Sequence, residues 1–207
     1  CALIGAPPVV AAELVPAAIF TDPPADAAHP AAMTVLHVPS HGVLINGLVY
    51  SPPGAGPHPT LVICHGLPGN EKNLDLAQAV RRAGWNAVTF NYRGSWGSPG
   101  VYRFAQNIDD AAAVLAYLRD PKNAAALGID TQRLAIAGHS MGGAIALRIA
   151  LSWPERVAGL ILVATGARLK VAPALHEVLE RRFDEYGEAL RLSAFSPSTP
   201  RDVVDRW

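Results

Sequence analysis

The sequence predicts an α/β protein of three layers, with a mostly parallel sheet between helices and a β-hairpin at its N-terminal end. Short apolar segments rich in β-branched residues alternate with segments that carry apolar residues at helical spacing. This alternation favours right-handed crossovers between parallel strands. The strands are continuously apolar, which is typical of a sheet covered on both faces. The 207 residues suit one domain with a sizeable core.

Composition excludes several classes of function. Seventeen basic residues balance seventeen acidic ones, so there is no electrostatic case for binding nucleic acid or an anionic membrane. No apolar run in the sequence approaches the ~20 residues of a membrane span. No histidine or carboxylate cluster has the spacing of metal ligands, and we predict neither a metal nor another cofactor.

The N-terminal residues 1–32 are rich in Ala, Pro and Val and are predicted to form an apolar segment and a linker, since prolines interrupt helices. Cys1 has two interpretations. It is either the lipid-bearing first residue of a processed lipoprotein, which implies a bacterial cell envelope, or a boundary of the segment, which is compatible with the cytoplasm. Cys64 lies inside an apolar strand, and nothing suggests a disulfide framework.

The chain order of elements begins with a hairpin of residues 33–38 and 43–50, joined by "PSHG". Residues 33–172 are predicted to form the α/β core. Residues 173–207 are predicted to be a helical, cap-like segment, because apolar residues recur there at helical spacing with charges between them. The remaining predicted strands are 60–65, 86–92, 133–138 and 157–165, and the predicted helices are 73–84, 107–120 and 141–152.

The motif Gly138-His139-Ser140-Met141-Gly142 stands between a predicted strand and a predicted helix. Gly-x-Ser-x-Gly in that position is typical of a sharp turn that lifts a nucleophilic serine above the sheet edge. The two glycines leave room for close chain crossings, and the helix N-terminus favours developing negative charge. We therefore predict that Ser140 is a nucleophile; the alternative is a purely structural turn.

The segment "CHGLPGN" (64–70) follows the first strand of the alternating series. An ester transition state needs two N–H groups facing its oxyanion, and we predict that Met141 and Leu67 supply them. The alternative is a Gly/Pro turn without a role. His65, next to Gly66, is interpreted as a structural hydrogen-bonding residue rather than the general base, and His139 as a packing residue beside the turn.

The segment "NYRGSWGSPG" (91–100) follows the next strand and reaches the same sheet edge. Trp96 and Tyr102 either line an acyl pocket or pack the loop itself. Arg93 is expected to tie loops together. Asp109 and Asp110 open a helix, where carboxylates suit the positive end of the helix dipole.

Together, "HGLPGN", "NYRGSWGSPG", "GHSMGG" and "WPERVAGLILVAT" in this order resemble the α/β-hydrolase family over roughly residues 33–190. The resemblance implies a sheet of about eight strands, the second antiparallel, and a triad in the order Ser, acid, His. It also implies a small-molecule ester as substrate. The last motif is similar to the small-ester and carbon–carbon hydrolases that carry a helical cap.

The triad histidine and acid are not evident. After Ser140 the only histidine is His176, in the cap-like segment, and only Glu155 lies between them among the acids. The predicted strands number six, so we predict that the final strands of the fold are missing. We expect a C-terminal truncation with the base beyond residue 207; a second chain, or His176 or His65 as base, are the alternatives. We expect His176 to lie more than ~5 Å from Ser140 Oγ, outside hydrogen-bond reach.

These observations predict a serine hydrolase that acts on carboxylic esters through an acyl-enzyme. Peptide cleavage, carbon–carbon hydrolysis and acyl transfer are alternatives on the same turn. A catalytically incomplete fragment or a non-enzymatic interaction module is a further one. If the last predicted strand is an uncovered edge, its unpaired backbone groups favour self-association.

Overall fold

A computed structural model describes residues 15–166 of the chain, and it contains one six-stranded sheet in the order β1-β2-β4-β3-β5-β6. The strands are β1 (Ala32–Ser40), β2 (Val43–Ser51), β3 (His58–Cys64), β4 (Asn86–Phe90), β5 (Ile129–His139) and β6 (Gly159–Val163). The helices are α1 (Leu74–Arg82), α2 (Asn107–Arg119), α3 (Pro121–Leu127) and α4 (Met141–Ser152). The segment 173–207 and His176 lie outside the described residues.

The hairpin and the parallel part of the sheet both agree with the sequence prediction. Strand β2 is antiparallel to β1 and to β4, whereas β3 pairs in parallel with β4 and β5, and β5 with β6. The hairpin turn is only two residues long: His41 and Gly42 have φ of 47° and 86°. Positive φ at both positions is what a tight hairpin between twisted strands requires.

Two helical layers cover the sheet. Successive residues of a strand point to opposite faces, so each strand contributes side chains to both layers. Leu61 and Ile63 are buried in the cluster on the α1 side. Val62 and Cys64 are buried in the larger cluster that includes residues of α2, α3 and α4. The expected three-layer arrangement is therefore confirmed.

Helix α3 was not predicted. The predicted helix 107–120 ends just before Pro121, and Pro121 is the first residue of a new helix. The carboxylate of Asp120 accepts hydrogen bonds from the N–H groups of Lys122 and Asn123. Proline is favoured at the first helical position and aspartate as the residue before it, so one dipeptide both ends α2 and starts α3.

Strand β6 forms one edge of the sheet that residues 15–166 build. It is shorter than predicted, and its apolar side chains Leu160, Ile161, Leu162 and Val163 are between 36% and 45% exposed. On the α1 side, an apolar groove is lined by Leu61, Val80, Trp85 and Leu160, among others. Within this part of the chain, no helix has the length and apolar character needed to cross a bilayer.

Candidate active site

Ser140 occupies a strained turn between the end of β5 and the start of α4. Its backbone has φ 55° and ψ −120°, a region that non-glycine residues adopt only when the surroundings enforce it. The Ser140 N–H donates to Val163 O over 3.0 Å, and its carbonyl accepts from Gly143 N–H over 3.0 Å. The end of β6 and the first turn of α4 thus hold the serine in place.

The two glycines of the motif are required by close backbone approach. A Cβ on Gly138 would lie 2.1 Å from Gly142 O, and a Cβ on Gly142 would lie 1.9 Å from Cys64 O. Both separations are far inside van der Waals contact. Strands β3 and β5 and helix α4 therefore meet here at backbone distance, which is the close crossing that the sequence motif indicated.

The loop after β3 lies directly against the serine turn. A Cβ on Gly66 would stand 3.2 Å from Ser140 Cβ and 3.1 Å from His139 O, and 3.6 Å from the His139 ring. Leu67 follows at once and is 40% exposed. The structure therefore brings Gly66 and His139 to the candidate nucleophile, with Leu67 the next residue along the loop.

His65 is buried beneath this loop. Its Nδ1 lies 2.7 Å from Gly66 O, and because a carbonyl only accepts, Nδ1 carries the proton. Its ring stands 4.5 Å from the Tyr92 ring. Burial lowers the pKa of His65 below its ordinary value, partly offset by the bond to Gly66. Among the described residues, nothing pairs with its Nε2.

The bond from His65 also orients the next peptide group. In a trans peptide the C=O and the following N–H point in opposite directions, and the Gly66–Leu67 bond is not among the cis bonds. Holding Gly66 O on the His65 side therefore directs the Leu67 N–H away from His65. His65 acts on the loop through this geometry.

Trp96 joins the loop after β4 to the loop after β3. Its Nε1 donates to Pro68 O over 2.7 Å, and its own carbonyl accepts from Asn91 Nδ2 over 2.8 Å. The side chain is 44% exposed. Trp96 therefore joins the two loops while the residue as a whole remains partly exposed.

Met141, the first residue of α4, has a side chain held by two donors. Tyr102 Oη donates to Met141 Sδ over 3.4 Å, and Asn107 Nδ2 lies 3.7 Å from the same sulfur. Asn107 Nδ2 also donates to Tyr102 Oη over 3.0 Å. Sequence reasoning missed Asn107, whose position at a helix start looks like ordinary helix-end polarity.

Arg93 and Asp110 form a buried ion pair behind these loops. Arg93 donates from Nε to Asp110 Oδ1 over 2.6 Å and from its backbone N–H to Oδ2 over 2.9 Å. Ser40 Oγ donates to the same carboxylate over 2.6 Å. The pair ties the loop after β4 to α2 and to the hairpin, so Arg93 does join loops. Asp110 is an ion-pair partner as well as a residue of the first helical turn.

Within residues 15–166, no histidine is hydrogen-bonded to Ser140 Oγ, and no group of three His, Cys, Asp or Glu residues could hold a metal ion. A serine, backbone amides at a helix start and a glycine loop are thus assembled here. The proton acceptor is not among them.

Comparisons with known proteins show the family and the fold of this chain. The family model described as serine aminopeptidase, S33, matches residues 55–205. Protein Rv2307c of Mycobacterium tuberculosis is 28% identical over 74% of this chain and 53% of its own length. The protein named "Putative carbamate hydrolase RutD" from Variovorax paradoxus is 34% identical over 61% of this chain and 41% of its own length.

Among solved structures, the carboxylesterase EstE1, cloned from a metagenomic library, is 26% identical with a TM-score of 0.54. The match covers 70% of this chain and 51% of EstE1. The chain thus spans about half the length of the proteins it matches.

Proposed function

The chain belongs to the α/β-hydrolase family described as serine aminopeptidase, S33, and on that premise we propose that it is a serine hydrolase acting on carboxylic esters. The observation that carries this proposal is the strained backbone of Ser140, at φ 55°, between β5 and α4. Strain of this kind at a strand–helix turn is the mechanical feature of a serine nucleophile.

In the proposed reaction, Ser140 Oγ attacks the carbonyl carbon of the ester. The carbonyl oxygen becomes an oxyanion and accepts hydrogen bonds from the Met141 and Leu67 N–H groups. Met141 suits this role because the first amides of a helix have no carbonyl partner inside it. Leu67 suits this role because the hydrogen bond from His65 Nδ1 to Gly66 O fixes the plane of the Gly66–Leu67 peptide. The alcohol leaves, an acyl-serine forms, and water then releases the acid.

Proton transfer needs a histidine held by a carboxylate. We assign both to parts of the protein outside residues 15–166. The candidates for this histidine are therefore His176 and any histidine of a longer chain.

A fluorophosphonate probe tests the proposal, since it reacts with activated serines. Labelling of Ser140 is expected, and it is expected to disappear in Ser140→Ala. Ser152→Ala is the matched control, because Ser152 is exposed at the far end of the same helix. If neither this chain nor one extended to the length of its relatives were labelled, the enzyme proposal would be wrong and a non-enzymatic interaction module would replace it.

Peptide bond cleavage is the second candidate, and it is favoured by the aminopeptidase description of the matching family. The same turn and the same amides serve both reactions. Turnover of short and long p-nitrophenyl esters, measured beside aminoacyl p-nitroanilides, separates them. An ester hydrolase hydrolyses the first group with a Ser140-dependent kcat and leaves the second unchanged.

A further inference from the structure

The side chain of Met141, the residue that follows the candidate nucleophile, is contacted by two hydrogen-bond donors. A thioether sulfur is a weak acceptor, yet Tyr102 Oη and Asn107 Nδ2 both approach it, at 3.4 and 3.7 Å. These donors are 3.0 Å from one another, so they lie on the same side of the sulfur. Met141 and its neighbour Ser140 are both partly exposed, so Met141 is in partial contact with solvent and with small solutes.

From this geometry we propose that Met141 is a modification site for hydrogen peroxide, and that its oxidation to the sulfoxide reversibly slows the reaction at Ser140. The proposal rests on the proposed function of Ser140. In the step, the sulfur gives an electron pair to one peroxide oxygen, an S–O bond forms and the O–O bond breaks. The other oxygen leaves as hydroxide and takes a proton to become water; sulfur is oxidised by two electrons and peroxide is reduced.

The added oxygen changes the contacts of Met141 for a steric reason. An oxygen bonded to Sδ on the side of Tyr102 would come well inside the normal O···O hydrogen-bond distance of about 2.7 Å. Tyr102, Asn107 or Met141 must then move. An oxygen on the other side leaves the two donors in place but turns a flexible apolar side chain into a polar one.

Movement of Met141 bears on the reaction because its backbone N–H is the proposed oxyanion donor. Loss of one such donor costs about 10²–10³-fold in kcat in serine proteases. A displaced donor retains part of its effect, so the sulfoxide is expected to lower kcat by at least about tenfold. Reductases that act on methionine sulfoxide restore the thioether, which makes the effect reversible.

The chain offers an internal control, because its two methionines are Met33 and Met141. Met33 is 63% exposed on β1. It pairs with Tyr50, which pairs with Ala87 near the start of β4. Ser140 follows the end of the parallel strand β5, so Met33 lies toward the opposite end of the sheet. Its oxidation should be faster than that of Met141 and should leave turnover unchanged.

The experiment treats the Met33→Leu protein with hydrogen peroxide and then with dithiothreitol, which reverses thiol oxidation to disulfide or sulfenic acid but leaves sulfoxide. Peptide mapping measures the oxidised fraction of Met141, and ester turnover is measured on the same samples. Lost turnover is expected to follow that fraction, and methionine sulfoxide reductases A and B are expected to restore it. Met141→Leu, normalised to its own untreated rate, is expected to resist peroxide.

Two results would overturn the proposal: full sulfoxide at Met141 with retained turnover, or equal inactivation of Met141→Leu. The untreated rate of Ser140→Ala reports separately on the proposed function. If neither this chain nor one extended to the length of its relatives shows Ser140-dependent turnover, that function fails, and amide exchange decides the remaining point. Oxidation is expected to speed exchange in the first turn of α4, and unchanged exchange would reject the structural effect of the sulfoxide.

Discussion

Arg93 and Asp110 are joined by two hydrogen bonds, and the Asp110 side chain is completely buried while that of Arg93 is 10% exposed. Ser40 adds a third hydrogen bond to the same carboxylate. This relationship connects the hairpin, the loop after β4 and helix α2. A buried pair of this kind is costly to break, because removing one charge leaves the other uncompensated.

Asp110→Asn is therefore expected to lower the free energy of unfolding by about 3–5 kcal/mol. Asp109→Asn is the matched control, because Asp109 is half exposed and its Oδ2 lies 3.9 Å from Arg93 Nη2, a longer and weaker contact. Exposed pairs contribute about 1 kcal/mol or less. Urea unfolding measures both. Equal losses in the two variants would mean that the buried pair has no special role.

Gly142→Ala is expected to destabilise the protein by more than about 2 kcal/mol, because over-packing forces backbone to move. The new Cβ would stand 1.9 Å from Cys64 O and 2.7 Å from His65 O. Gly159→Ala is the control, since its Cβ would meet only Ala135 Cβ at 3.6 Å. Thermal unfolding compares the two. A Gly142→Ala protein as stable as Gly159→Ala would contradict the close crossing.

The pH dependence of stability contains a contribution from His65. Burial places its folded-state pKa below the ordinary value of 6.5, so below pH 6.5 the unfolded chain takes up a proton that the folded protein does not. The stability from this source is complete above about pH 6.5 and is lost as the pH falls through the folded pKa.

His65→Asn tests this, because its amide can still donate toward Gly66 O. The variant is expected to lose less stability than the parent protein between pH 7 and the acid range, as measured by urea unfolding at each pH. An unchanged slope in His65→Asn would assign the pH dependence elsewhere.

Self-association is expected through strand β6. Unpaired edges with exposed apolar side chains favour pairing between chains, and lysine on an edge opposes it. Ile161→Lys is expected to weaken association at least about tenfold, or 1.4 kcal/mol. Leu151→Lys, at an exposed position on α4, serves as the control. Sedimentation velocity over a range of concentrations measures both, and a protein that stays monomeric throughout would refute the expectation.

The elements that the sequence predicts are those decided by local patterns. Alternating apolar segments locate the strands because both faces of the sheet are buried, as for Leu61 and Val62. The glycines at 138 and 142 mark the turn at Ser140 because no other residue fits there. Helix α3 escaped prediction because a proline both stops and starts helices, and Asp120 decides which.

Contacts between distant residues could not be predicted in the same way. Asp110 follows the local rule for a helix start, and only Arg93, 17 residues earlier, and Ser40, 70 residues earlier, reveal it as a buried partner. The hydrogen bonds of Tyr102 and Asn107 to Met141 have no sequence pattern, since sulfur acceptors follow no periodicity. We propose that the triad histidine lies outside residues 15–166, so the contacts of the described residues do not identify it.

The buried thiol of Cys64 allows the opening rate of the sheet centre to be measured. It is fully buried, burial raises the pKa of its thiol to about 12, and it pairs with Gly138 at the end of β5. A reagent that attacks thiolates therefore reacts with Cys64 near neutral pH only during a local or global opening. In the open state the thiol regains an ordinary pKa of about 8.5. The labelling rate of this one atom, separated from Cys1 by peptide mapping, counts how often the strands beneath Ser140 part.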